Sequence, residues 1–293
     1  MYNRRKAIQT LFTGTATVAA APLLLHLKYE KPDVIMSSAL KGNINHAVCR
    51  WTYQYLPLDE LCHTAQQIGI KGIDLVGPAD WATLKKYGLT SSMCNGAELN
   101  LTDGWADARF HAALIPRYKE HIELVAKAGY KNLICFSGSR RGMDNETGWN
   151  NCVKGLQQII GLAEKNNVTL VMELLNSKVD HKDYMCDHTA WGVELCKRLG
   201  SPNFKLLYDI YHMQIDEGDV IRTIQQYHPY IGHYHTGGVP GRHEIDETQE
   251  LYYPAIMKAI VATGFNDFVA QEFIPTGNNK IESLKKAIAI CDV

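Results

Sequence analysis

Thr169-Leu170-Val171-Met172-Glu173 is an apolar run ending on an acid, and Lys205-Leu206-Leu207-Tyr208-Asp209 repeats that form one unit later. Between them, His188–Leu199 has the period of a helix and is stopped by Gly200. Uninterrupted apolar strands of this kind are expected where helices cover a parallel sheet on both faces. Reading outward finds the same unit along the chain. Strands are expected at Ile44–Cys49, Gly72–Leu75, Thr90–Cys94, Asn132–Phe136, Thr169–Glu173, Lys205–Asp209, Ile231–His235 and Asp267–Glu272. Helices are expected at Leu58–Ile68, Trp81–Tyr87, Ala113–Ala128, Trp149–Asn166, His188–Leu199, Asp219–Tyr227, Tyr253–Thr263 and Ile281–Cys291. Eight strand–helix units in roughly 250 residues match an α/β fold of the (β/α)8 type, the TIM barrel, as a single domain over residues 43–293.

A doubly wound open sheet is the competitor, and it would want a glycine-rich phosphate turn after the first strand. Here the first strand runs into Cys49-Arg50-Trp51-Thr52-Tyr53, and neither GxGxxG nor a Walker sequence occurs. The 293 residues carry 30 Lys and Arg against 31 Asp and Glu, a net charge of −1. That balance argues against a protein that grips nucleic acid by a basic footprint. The eight cysteines form no CxxC pair, which removes a cysteine-ligated zinc site, and they read as small core residues.

Residues 1–42 differ from the rest. Arg4-Arg5-Lys6 precedes a mildly apolar stretch from Leu11 to Leu25 that includes Ala19-Ala20-Ala21-Pro22. This resembles a twin-arginine export signal followed by a linker, although Ala7-Ile8 stands where Phe-Leu is usual. The expected location is therefore periplasmic or exported, with a cytoplasmic protein bearing an N-terminal arm as the alternative. Thr, Gly and Pro interrupt the stretch, so no stable membrane span is expected.

The functional signal lies in the last four strands, which run into Glu173, Asp209, His235 and Glu272 at intervals of 36, 26 and 37 residues. A parallel barrel gathers the C-terminal ends of its strands on one face, where barrel enzymes do their chemistry. Each residue alone has a plainer explanation: a strand-end acid often caps the next helix, and a lone histidine is often a bonded core residue. Four in register are hard to reach by accident. Three carboxylates brought together need a compensating cation, and three oxygen donors with one imidazole suit Mn²⁺, Mg²⁺ or Co²⁺. His212 continues past Asp209 toward the mouth as a substrate hydrogen-bonding group. The Val239-Pro240-Gly241-Arg242-His243-Glu244 loop brings a guanidinium suited to a substrate carboxylate or vicinal oxygens.

Met172-Glu173-Leu174-Leu175-Asn176, Asp209-Ile210-Tyr211-His212-Met213-Gln214, Pro240-Gly241-Arg242-His243-Glu244 and Gln271-Glu272-Phe273 together resemble the hydroxypyruvate isomerase group of the xylose-isomerase-like barrels. The resemblance implies that Glu173, Asp209, His235 and Glu272 hold one divalent ion. It also implies that Glu173 and Glu272 move protons about an enediolate while His212 and Arg242 grip a small hydroxy-carbonyl acid or sugar. Hydroxypyruvate isomerases often have Gln where this chain has His235, whereas ketose 3-epimerases have His, so both activities stay open. The other readings are an endonuclease on the same barrel, disfavoured by the charge balance, and a sugar-binding barrel without catalysis. The latter does not need two proton-transfer glutamates. The sequence leaves the oligomeric state open, a homo-oligomer included.

Overall fold

The structure, a computed structural model, describes residues 39–293, so the expected export signal lies outside the described residues. Strands β1 (Asn45–Cys49), β2 (Gly72–Val76), β3 (Thr90–Cys94), β4 (Asn132–Cys135), β5 (Thr169–Glu173), β6 (Phe204–Asp209), β7 (Ile231–Thr236) and β8 (Phe268–Gln271) form a closed parallel barrel in chain order. Closure is direct: Ala47 of β1 pairs with Gly72 of β2 and with Ala270 of β8. The helices are α1 (Leu58–Ile68), α2 (Trp81–Lys86), α3 (His111–Ala128), α4 (Asn145–Lys165), α5 (Thr189–Leu199), α6 (Ile210–Asp216), α7 (Val220–Tyr227), α8 (Tyr253–Ala262) and α9 (Lys280–Cys291). Among the described residues, no helix is long and apolar enough to cross a membrane.

Side-chain alternation along β1 shows how the layers divide. Val48 joins the main core together with Leu61, Ala65 and Leu284, whereas Ala47 and Cys49 form a small separate cluster with Ala270. All eight cysteines are free and buried, as small core residues would be.

Most bounds fall within two residues of expectation, and two elements depart further. Helix α4 begins four residues early, because Asp144 caps it by accepting the Thr147 N–H at 2.7 Å while its first turn lacks an apolar period. Helix α6 was not anticipated, since it starts directly at the end of β6 with no loop between. Asp209 is its cap: Oδ1 accepts the N–H groups of Tyr211 at 2.8 Å and His212 at 3.3 Å. At the other side of the barrel, β2 slips register against β3 on both sides of Asp74, and Leu75 takes a left-handed φ of 55°. An irregularity of this kind re-aims a side chain, here that of Asp74.

Candidate active site

The barrel brings all four strand-end residues together. Glu173 and Asp209 are the last residues of β5 and β6, and His235 lies one residue from the end of β7. Glu272 falls just past β8, where its N–H still bonds to the Thr236 carbonyl at 3.1 Å. One donor atom from each lies within 4.8 Å of every other, and all four side chains are buried. His235 Nδ1 stands 2.6 Å from Glu272 Oε2 and 3.4 Å from Glu173 Oε1.

Asp209 carries both the plain reading and the functional one. While Oδ1 caps α6, Oδ2 accepts from Arg242 Nη2 at 2.9 Å and lies 3.6 Å from His212 Nε2. His212 is fully buried, with Nδ1 2.6 Å from Asn176 Nδ2. Arg242 is not an open hand on a loop. It follows Gly241 in a left-handed conformation, φ 59°, and its Nη2 donates to Glu272 as well as Asp209. Trp51 and Tyr211 flank the guanidinium with ring centroids 5.4 Å away. A guanidinium beside three buried carboxylates is drawn inward to pair with two of them, Asp209 and Glu272, which a loop position alone does not indicate.

Sequence reasoning missed several contributors. Asp74 Oδ1 accepts from His235 Nε2 at 2.9 Å, and Oδ2 accepts from Ser92 Oγ at 2.7 Å with His233 Nε2 2.9 Å away. Its signal was an acid inside an apolar strand, where a fully buried charge requires partners. Trp51 donates Nε1–H to Glu272 Oε1 at 2.7 Å. Asn176 sat in a quoted motif without a role.

Burial and the Glu272 charge push the Glu173 carboxyl up, and burial carries Asp209 to about 7 against the pull of Arg242. Glu272 goes the other way: burial opposes its ionisation, but Arg242, His235 and the Trp51 N–H together hold it well below the usual range. Burial disfavours charge on His235, yet Glu272 and Asp74 raise it well above an ordinary histidine. Burial, Arg242 and His181 keep His212 well below one. The protein groups thus carry an excess of carboxylate that one guanidinium and one imidazole offset only in part.

That donor set fits a divalent cation. His235 Nδ1 is buried without a hydrogen-bond partner among the described residues although two carboxylates surround it. The four atoms lie within 4.8 Å of one another, and opposite ligands on one ion stand about 4.2 Å apart for bonds of about 2.1 Å. Beside the site, a cleft of about 200 Å³ is lined by Leu101, Thr102, Asp180, His181 and Tyr184. A wider depression of about 610 Å³ between the starts of α4 and α5 shares none of these residues and is set apart from the carboxylates.

Residues 63–291 match the family model described as the xylose isomerase-like TIM barrel. Hydroxypyruvate isomerase of Escherichia coli K12 is 30% identical over 222 residues, covering 72% of this chain and 85% of that one. The D-psicose 3-epimerase of Ruminiclostridium cellulolyticum is 28% identical over 212 residues, 68% of each chain. Matches to the human and Danio rerio relatives span about half of each, 46% and 49%. Among solved structures, the AP endonuclease, family 2, from Brucella melitensis aligns with a TM-score of 0.71 at 23% identity, over 82% of this chain and 96% of that one. With the family model covering most of the barrel and the fold shared, the chain belongs to the xylose isomerase-like TIM barrel family.

Proposed function

We propose that the protein is a metal-dependent isomerase that interconverts a small hydroxy-aldehyde and hydroxy-ketone through an enediolate, as hydroxypyruvate isomerase converts hydroxypyruvate to 2-hydroxy-3-oxopropanoate. The carrying observation is the convergence of Glu173, Asp209, His235 and Glu272 at the C-terminal end of the barrel. These four would hold the ion, Mn²⁺, Mg²⁺ or Co²⁺. When bound, it supplies a Lewis acid that lowers the cost of negative charge on adjacent substrate oxygens.

The chain's own groups do the rest. Glu173 and Glu272 reach one point from different strands, so one takes the proton from carbon and the other returns it. Trp51 holds Glu272 Oε1 and Arg242 holds Oε2, which aims the carboxylate without blocking both oxygens with one partner. Asp74 accepts the Nε2–H of His235, which keeps the ring proton on Nε2 and leaves the Nδ1 lone pair toward the glutamates. His212 and Arg242 orient substrate oxygens. Export by residues 1–42 is part of the same proposal.

A ketose 3-epimerase is the second reading, favoured by how the basic groups near the mouth are committed. Arg242 serves Asp209 and Glu272, Arg141 serves Asp103 and Asp107, and Lys182 Nζ donates to the Lys178 carbonyl. A neutral sugar needs no counter-charge from them, whereas a carboxylate substrate must win one back. The relative named as a D-psicose 3-epimerase supports the same choice.

The test is turnover of hydroxypyruvate and of free ketoses by metal-loaded protein in D₂O, followed by NMR, with Glu272→Gln alongside. Deuterium on the receiving carbon and a loss of about 10²–10⁴-fold in the variant are expected. Wild-type turnover by Glu272→Gln with metal retained would refute the proton-transfer role.

A further inference from the structure

We propose that Asn176 is a positioning residue that fixes the tautomer of His212, placing its proton on Nε2 and aiming it into the site. The residue lies three positions past Glu173 and is fully buried. Its Oδ1 accepts from the backbone N–H groups of Val179 at 3.0 Å and Asp180 at 2.9 Å. Its Nδ2 donates to Asp180 Oδ2 at 2.7 Å and faces His212 Nδ1 at 2.6 Å. Turning the amide over would set NH₂ against two N–H donors and oxygen against a carboxylate. Three contacts therefore agree on one orientation.

An amide NH₂ only donates, so the imidazole nitrogen facing it must hold a lone pair. That excludes the Nδ1–H tautomer and the imidazolium alike, and the ring proton is left on Nε2. Asp180 Oδ2 does not compete for a proton on Nδ1, being 3.9 Å away and already accepting from Tyr211 Oη at 2.8 Å and from Asn176. Tyr211 and His181 pack edge-on against the ring, with centroids 5.1 and 5.2 Å from it. Nε2 is buried, has no hydrogen-bond partner among the described residues, and lies 3.6 Å from Asp209 Oδ2. A buried donor left without a partner costs stability and asks for an explanation. A substrate oxygen arriving beside Asp209 supplies one, a step that rests on the function proposed above.

The experiment is a long-range ¹H–¹⁵N correlation spectrum of the full chain labelled at histidine nitrogen, without metal and with diamagnetic Mg²⁺. His212 is assigned by its loss in His212→Gln. The wild type should show the Nε2–H pattern, and a proton on Nδ1 would overturn the proposal. Asn176→Asp offers an acceptor to Nδ1, so the proton should move there, or a second proton should appear. With it kcat should fall about 10²-fold, the order for losing a preorganised donor, while KM changes less. Retention of the Nε2–H pattern in that variant also overturns the proposal. If the tautomer moves and kcat does not, Asn176 has the role assigned to it and the use of His212 as a substrate donor is wrong. Should Asn176→Asp not fold, Asn176→Ser removes the amide and should leave His212 exchanging between both tautomers. An unchanged spectrum there counts against the proposal.

Discussion

Replacing Trp51 by phenylalanine separates what its ring does from what its N–H does. The ring packs over the Arg242 guanidinium at 5.4 Å, and phenylalanine keeps an aromatic face there. The Nε1–H donates to Glu272 Oε1 at 2.7 Å, a short bond to a buried carboxylate, and phenylalanine removes it. Hydrogen bonds to charged groups contribute about 1.5–3 kcal/mol net. Converted at 1.36 kcal/mol per decade, that is roughly 10- to 150-fold in kcat/KM if Glu272 must be held in place. Arg242 still grips Oε2, so the lower part of that range is expected. The assay is kcat/KM of metal-loaded Trp51→Phe and Trp51→Ala, with metal affinity and thermal midpoint measured for both. A Trp51→Phe enzyme equal to wild type beside a crippled Trp51→Ala would refute the hydrogen-bond reasoning and leave packing as the sole contribution.

Chelation should abolish activity and Mn²⁺, Co²⁺ or Mg²⁺ restore it; Asp209→Asn, which keeps a cap for α6, should lower metal affinity by calorimetry with little loss of helix. His46 is 1% exposed and burial holds its pKa down to about 4, against Asp292 at 3.9 Å, which raises it, while Lys71 lowers it further. The unfolded chain takes up that proton near 6.5 and the fold does not, so stability is lost as pH falls from 6.5 toward 4, by up to about 3 kcal/mol. Urea melts at pH 7 and 4.5 should show His46→Gln losing less than wild type, and equal losses would remove His46 as the cause. A reporter behind residues 1–42 should reach the periplasm of a bacterium with a twin-arginine pathway and stop when Arg4 and Arg5 become Lys; a reporter retained in the cytoplasm counts against export.

Strands were legible because of where a parallel barrel buries them. Covered on both faces, they are mostly apolar, so Thr169–Glu173 and Phe204–Asp209 announce themselves locally, and an acid at the end of such a run marks the barrel mouth. The helix after Asp209 was hidden by the same rule, since strand and helix abut and no turn residues separate their periods. Asp209 shows that cap and site are not rival readings: a carboxylate has two oxygens, and here each serves one purpose.

The partners of those residues were hidden for a different reason. Trp51 meets Glu272 across 221 positions and Asp74 meets His235 across 161, and no local period carries such a pairing. The second contact also skips two strands, because β1 and β8 lie between β2 and β7. What lets it form is small side chains in the intervening strands. Ala270 pairs with His235 on one side and Ala47 on the other, and Ala47 pairs with Gly72. Neither alanine side chain extends beyond Cβ, so Asp74 and His235 reach each other inside the barrel with Cys49 as their neighbour. A larger residue at 47 or 270 would fill that space, part the pair and leave a buried carboxylate with one histidine fewer. The two alanines, unremarkable in the sequence, are therefore as much a condition of the site's geometry as the acid they make room for.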